Sequence, residues 1–370
     1  MIDQPLAPYL YWAKTRPAAA IDLAGSNLLA CTLDDLPGAH EALALTAPDH
    51  GGFPPLVEAI AAHYGAATDR VVTAPGCSAA NFLAIGALVG PGDTVLMESP
   101  WYDQITGACR LVGANVRHFE RKFEDGYRID VAALRAEVTP RTALIIISSP
   151  HNPSGLLVDN ATIEALQAMA ESTGTFVLVD EVYLDATNLV GSRLRDAPRA
   201  VGRYRPAALV GDRLLSASSL TKSYGLGGLR CGWLVAPPAI AERARRVRDV
   251  IDNIGAAPAD RLSALAFSLM DQLSARTSRL VATNLDLVRQ FLARHPQLQV
   301  AGEPEATIVF PRFEDGRGCD AFVERLFAEH GVAVAVGRFF GAPAHFRISL
   351  GGATGALEAG LGRVSTMLVM

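Results

Sequence analysis

Short apolar runs that end in small or polar residues recur through the first two thirds of the chain, and they limit what it can fold into. Val71–Thr73, Thr94–Glu98, Ala143–Ser148 and Phe176–Val179 are strand-sized, and Arg213–Ser216 adds another. Helical spacing lies between them, over Ala79–Leu88, Val131–Glu137 and Thr162–Thr173. Strands alternating with helices through residues 36–260 predict an α/β fold, a mostly parallel sheet with helices on both faces. In such a sheet ligands sit beyond the carboxyl ends of the strands. The residues that follow each run are therefore the ones to read for chemistry.

Length and charge narrow the partners. A chain of 370 residues can bury a large core, and its length suggests about two domains. A net charge of −5 argues against nucleic acid or an anionic membrane surface as the main partner. No apolar run reaches membrane-spanning length, and the start, MIDQPLAPYLYW, has an early acid and no basic region before an apolar block. Cys31, Cys77, Cys109, Cys231 and Cys319 are scattered and odd in number. No pair has metal-ligand spacing, so reduced thiols in a cytoplasmic protein without a metal site are expected.

The segment Ser216–Trp233, SASSLTKSYGLGGLRCGW, carries one lysine among small hydroxyl residues. Glycines follow, then Arg230, eight residues beyond Lys222. Such a lysine suits a nucleophilic amine, which must be partly desolvated because its neutral form attacks a carbonyl. Arg230 offers a permanent planar charge for a phosphate. Gly76-Cys77-Ser78 lies where a turn opens onto a helix N-terminus, a place that favours anions. Asp180 ends an apolar strand, where a buried acid needs a partner. Each feature alone has a plain alternative: a lysine in a glycine loop, an ordinary strand-to-helix turn, an Asn-Pro turn at Asn152, a packing aromatic at Tyr102.

Taken together, SSLTKSYGLGGLRCGW resembles the lysine motif of the class I/II aminotransferases, pyridoxal-phosphate enzymes of fold type I. Other segments are similar to further family motifs and stand in the family's order: the turn at Gly76–Ser78, the aromatic Tyr102 after Pro100, PHNPSG around Asn152, and Asp180-Glu181-Val182-Tyr183. The resemblance implies a large cofactor domain over 36–265, with a small domain from 1–35 and 266–370. It implies a homodimer, because active sites of that fold lie at a dimer interface. Lys222 would hold the cofactor and act as base. Asp180 would keep the pyridine nitrogen protonated, making the ring an electron sink. Tyr183 and Asn152 would flank the phenolic oxygen, with Tyr102 stacked on the ring. Gly76, Cys77, Ser78, Ser219 and Arg230 would cradle the phosphate, Cys77 as a small neutral filler. Arg347, in HFRISLGG, would bind the substrate α-carboxylate, with Asn152 and the turn at Gly25 lining the entrance. Ala47 stands where many relatives carry a tyrosine that reaches the neighbouring subunit's phosphate, and Val57 where arginine is usual.

These assignments imply transfer of an amino group from an α-amino acid to a 2-oxo acid. The alternatives are another reaction on the same fold, such as a C–S β-lyase, decarboxylase or synthase, and a cofactor-binding regulatory module. The remaining readings are local. Within Asp49–Gly65, Leu56, Ile60 and then His63 or Tyr64 give a helical period after glycine and proline start signals, and Gly191–Pro206 reads as an arginine-rich loop. Ala239–Asp252 reads as a helix whose arginines form a solvated face, and roughly Asp260–Ala293 as a long helical region. Thr307–Pro311, Val332–Val336 and Phe346–Leu350 read as strands.

Overall fold

A computed structural model of the chain describes residues 6–194, 205–303 and 305–369. The expected alternation produces a seven-stranded sheet: β1 (Val71–Pro75), β2 (Thr94–Ser99), β3 (Asn115–Glu120), β4 (Thr142–Ser148), β5 (Phe176–Asp180), β6 (Leu214–Ser219) and β7 (Cys231–Val235). Their order is β1-β7-β6-β5-β4-β2-β3. β7 runs antiparallel to both its neighbours, and the other pairs are parallel. Successive side chains alternate between faces, as a pleated strand requires. Leu144, Ile146, Leu178 and Leu215 pack with the helix Cys77–Leu88. Ile145, Ile147, Val177 and Val179 pack on the other face with Ile163, Leu166 and Met169 of the helix Asn160–Thr173. Burial on both faces is why these strands read as unbroken apolar runs.

A second group of elements comes from both chain ends. Ile21–Asp22 pairs in parallel with Val332–Ala333. Phe346–Ser349 lies antiparallel between Ile308–Val309 and Ala335–Val336. The helices Met270–Arg294, Asp320–His330 and Thr354–Val369 cover these strands around a core of Leu285, Phe291, Val323, Ile348 and Leu357.

Several local readings change. The long helical region expected over roughly Asp260–Ala293 consists of two helices, Ala257–Ser268 and Met270–Arg294, with Leu269 outside helical geometry between them. The break lets the first pack Leu262 and Ala266 beside the helix Pro54–Tyr64 while the second reaches the core under the short strands. Val332–Val336 is likewise two short pieces. β3 was not foreseen, because NVRHFE is an edge strand with mostly exposed side chains. The arginines of the helix Pro238–Ile251 do not all face solvent. Arg243 and Arg246 do, whereas Arg248 is buried against Asp49 at 3.1 Å. Of the stretch Gly191–Pro206, residues 195–204 lie outside the described residues, and Gly191–Leu194 ends the helix Leu184–Leu194.

Candidate active site

The carboxyl ends of β1, β5 and β6 bring the first group of predicted residues together. β1 ends at Pro75, and Gly76 (φ +88°) starts the helix Cys77–Leu88 without a side-chain cap. Its first N–H groups are therefore available to an anion. A side chain at Gly76 would be strained at this φ, and a Cβ there would lie 2.1 Å from Arg230 Nη2. Across the strand pair, a Cβ on Gly232 would meet the Gly76 carbonyl carbon at 2.2 Å. Arg230 takes a left-handed backbone (φ +51°) and donates to the carbonyls of Pro75 (3.2 Å) and Gly227 (3.4 Å), which fixes its guanidinium over the helix start. Ser219 ends β6 and accepts from the Thr221 N–H, opening the short helix that carries Lys222. Ser78 is half-buried in the first turn of its helix.

Lys222 is half-buried, and its Nζ donates to Ser26 Oγ at 2.9 Å and Asn27 Oδ1 at 2.6 Å. Burial first and Arg347 next depress its pKa to about 7, with Asp180 opposing them. The amine is thus close to half neutral at physiological pH. The predicted Gly25 makes no such contact, and a Cβ there would meet open space. Its neighbours Ala24 and Ser26 supply the contacting atoms. Tyr183 is buried beside Ser26, its hydroxyl has no partner in bonding geometry, and burial raises its pKa to about 12.

Asp180 is buried at the end of β5. One carboxylate oxygen accepts from Asn81 Nδ2 (2.8 Å); the other accepts from the Val182 N–H (3.1 Å) and Cys77 Sγ (3.5 Å). Burial raises its pKa, and the donated bonds, that of Asn81 foremost, pull it back. Cys77 is a neutral thiol here, since burial holds its pKa well above the usual value. Asn81 escaped the sequence reading. Its one signal is an amide one turn beyond Cys77 in an otherwise apolar helix, AANFLAIGAL.

The second group surrounds Arg347, fully buried in Phe346–Ser349. Its Nη1 donates to Asn152 Oδ1 (2.8 Å), and its Nη2 to Tyr9 Oη (2.7 Å) and the Ala24 carbonyl (3.1 Å). The guanidinium carbon lies 5.0 Å from the Tyr9 ring centre and 4.8 Å from that of Phe340. Tyr102 meets Tyr9 edge-on at 6.2 Å between ring centres. Behind Asn152 runs a buried chain that the sequence did not announce. The Asn152 N–H donates to Ser148 Oγ (2.9 Å), Ser148 donates through its N–H and hydroxyl to Glu98, and Glu98 pairs with Arg121 at 2.5 Å. Tyr9 was missed because it lies in the helix Pro8–Thr15, far from every motif; its N–H donates to Asp103 Oδ2.

The family described as aminotransferase class I and II matches residues 38–364. The chain belongs to this family. Its relatives include capreomycidine synthase of Streptomyces vinaceus, 31% identical over 80% of this chain and 74% of that protein. The arginine–pyruvate transaminase of Pseudomonas aeruginosa is 31% identical over 78% of this chain and 71% of its own length. Among solved structures, a pyridoxal-phosphate-dependent aminotransferase from Streptococcus suis superposes with a TM-score of 0.89 at 23% identity, covering 99% of this chain and 98% of that one, which speaks to the fold.

This class I and II aminotransferase uses pyridoxal phosphate, and its residues fit the group. The uncapped helix start under Arg230 is a cradle that a single Cβ would fill. The partnerless Tyr183 hydroxyl supplies a buried donor, and Asp180 a buried acceptor. The depressed Lys222 supplies the amine. Among the described residues no cluster of histidine, cysteine and acidic side chains could hold a metal ion. No described helix is long and apolar enough to cross a membrane.

Proposed function

We propose that this aminotransferase acts on α-amino acids, that Lys222 is its base, and that Arg347 is its carboxylate-binding residue. One observation carries the reading: a fully buried arginine, steered by Asn152 and Tyr9, lies near enough to Lys222 to depress its charge. A buried guanidinium offers two parallel hydrogen bonds that match a carboxylate and hold the substrate's Cα in place. Bound pyridoxal phosphate supplies an aldehyde and an electron sink. Lys222 would hold the cofactor through its Nζ and, once freed as a neutral amine, would take the Cα proton and deliver it back on the cofactor side. Asp180, as a carboxylate, would keep the ring nitrogen protonated. Asn152 Nδ2, its oxygen being used by Arg347, and Tyr183 Oη donate toward the phenolic oxygen. Helix Cys77–Leu88, Ser78, Ser219 and Arg230 hold the phosphate, and Tyr102 stacks on the ring.

A homodimer is part of this proposal. It is supported by exposed apolar side chains, Leu45 (90% exposed), Val250 (86%) near the end of the helix Pro238–Ile251 and Ile254 (59%) just beyond it, which a second copy would cover. A cytoplasmic setting is supported by the unpaired cysteines and the acidic balance. The substrate side chain is the open choice, and arginine heads the amino acids to test because one relative is named for it.

The test is to supply the purified protein with single amino acids and pyruvate or 2-oxoglutarate, and to measure the new 2-oxo acid, the new amino acid and ammonia. Matched formation of the two products supports transamination. Ammonia release, or a product formed without a 2-oxo acid acceptor, would replace it with the lyase or synthase reading that the relative from Streptomyces vinaceus illustrates.

A further inference from the structure

Asn81 sits where a stable helix has no use for an amide. Its helix is otherwise apolar on the buried side, with Ala80, Leu83, Ala84 and Ile85 all buried, and asparagine is a poor helix former. The side chain is 2% exposed and its Oδ1 has no hydrogen-bond partner. An unmet buried acceptor destabilises the fold, so stability alone does not account for the residue. Its Nδ2, in contrast, donates to Asp180 Oδ2 at 2.8 Å. A carboxylate only accepts, so this contact fixes which end of the amide faces Asp180.

We propose that Asn81 is the positioning residue of the ring-nitrogen site: its Nδ2 holds Asp180 as a correctly turned carboxylate, ready to accept a hydrogen bond from the protonated nitrogen. The role rests on the cofactor reading above. The geometry around Asp180 supports it. Cys77 Sγ and the Val182 N–H are its other donors, and both reach Oδ1, so Asn81 alone among these three holds Oδ2. Cys77 is a weak donor at 3.5 Å. Besides Cys77, the charged or titratable groups near this corner include Lys222, Glu181 and Tyr183: Lys222 favours the ionised carboxylate, burial raises the pKa of Glu181 to about 8, and burial raises that of Tyr183 to about 12. Burial pushes Asp180 toward the neutral acid, and among the influences opposing it the Asn81 bond is the largest. A neutral Asp180 could donate a hydrogen bond but could not balance a protonated ring nitrogen. The same helix therefore carries both the phosphate-facing N–H groups at its start and, one turn on, the group that sets Asp180.

The experiment compares two probes on the purified chain: pyridoxal phosphate, and its 1-deaza analogue, in which carbon replaces the ring nitrogen. Dissociation constants are measured for wild type and Asn81→Leu, which keeps volume and helix but removes the donor. The expected result is that Asn81→Leu weakens pyridoxal phosphate about tenfold and the deaza analogue by less than about twofold. Asn81→Ala gives the same comparison should the leucine not fold. Equal weakening of both probes would show Asn81 to be a packing residue and overturn the role, as would no weakening of either. A wild type that binds neither probe would sink the cofactor reading itself, and this role with it. A wild type that prefers pyridoxal phosphate over the analogue keeps that reading safe whatever the variant does.

Discussion

The two halves of the site are built by different means. The cofactor-facing half comes from strand ends: Gly76 after β1, Asp180 at the end of β5, Ser219 at the end of β6, and Lys222 three residues later. Backbone geometry places it, through a glycine at positive φ, an uncapped helix start and a left-handed Arg230. The half around Arg347, proposed to face the substrate carboxylate, has no such frame. Arg347 gets its orientation from side chains of separate stretches, Tyr9 being 338 residues away in sequence and Asn152 195. The first half is local and set by the sheet. The second exists only when the chain ends have met over the sheet, and single side chains should tune it by degrees.

The largest expected effect is on the cofactor half. Lys222→Ala should abolish turnover and remove any borohydride-reducible lysine–cofactor bond, as read by mass spectrometry of the reduced protein. A reducible bond that survives the change would place the amine elsewhere.

Next comes the buried support of the other half. Arg121 and Glu98 are both almost fully buried, so Arg121→Met leaves Glu98 without its counter-ion. Breaking such a pair costs about 3–5 kcal/mol of stability. Denaturant unfolding should show that loss, with KM for the amino acid rising in whatever folds, because Glu98 reaches Asn152 through Ser148. A variant with unchanged midpoint and KM would detach this chain of contacts from the site.

Arg347→Lys keeps the charge and loses the fork. It should lower kcat/KM by about 2–5 kcal/mol for every α-amino acid alike while pyridoxal phosphate binds as before. Indifference of the variant, or equal use of the decarboxylated amine by wild type, would show that the two halves do not divide the work in this way.

A smaller change needs no mutation. The Lys222 ammonium is depressed to about 7, and only the amine form attacks the aldehyde. Capture of pyridoxal phosphate by cofactor-free protein should therefore speed up as pH rises from 6 to 8, by about tenfold, and level off above that. A rate still climbing steeply at pH 9 would mean an ordinary lysine. The smallest effect expected is that of Tyr9→Phe, which keeps the ring against Arg347 and removes one acceptor from Nη2. It should raise KM for the amino acid by a few-fold, in line with about 0.5–1.5 kcal/mol for one hydrogen bond, and leave cofactor affinity unchanged.

That contrast also governs what could be read from the letters. Lys222, Asp180, Asn152 and Arg230 were legible as candidates because each stands at or near a strand end in a short motif. Arg347 was reached by its motif position alone, since nothing in HFRISL says that the arginine is buried. Tyr9, Asn81, Glu98 and Arg121 were not legible. Their partners are distant in sequence, and an acid in a strand or an amide in a helix becomes informative only once its neighbour is known. The same reason explains Arg248: helical spacing separates the faces, but only the contact with Asp49 shows which arginine turns inward.

The sheet order has a consequence for how the molecule comes into being. β1 is made first of the seven strands, yet it is an edge strand paired with β7, the last. On the ribosome β1 must wait, with its backbone groups served by water, until nearly two thirds of the protein has been synthesised. Pairing over such a separation is slow, because the loop entropy is lost before any contact repays it. The clasp that closes the sheet is the same place where Gly232 and Arg230 meet Gly76. A phosphate-bearing ligand in that clasp favours the closed sheet over the open one by mass action. Newly made chains should then mature faster, and resist proteolysis sooner, in cells well supplied with the vitamin from which the cofactor is made.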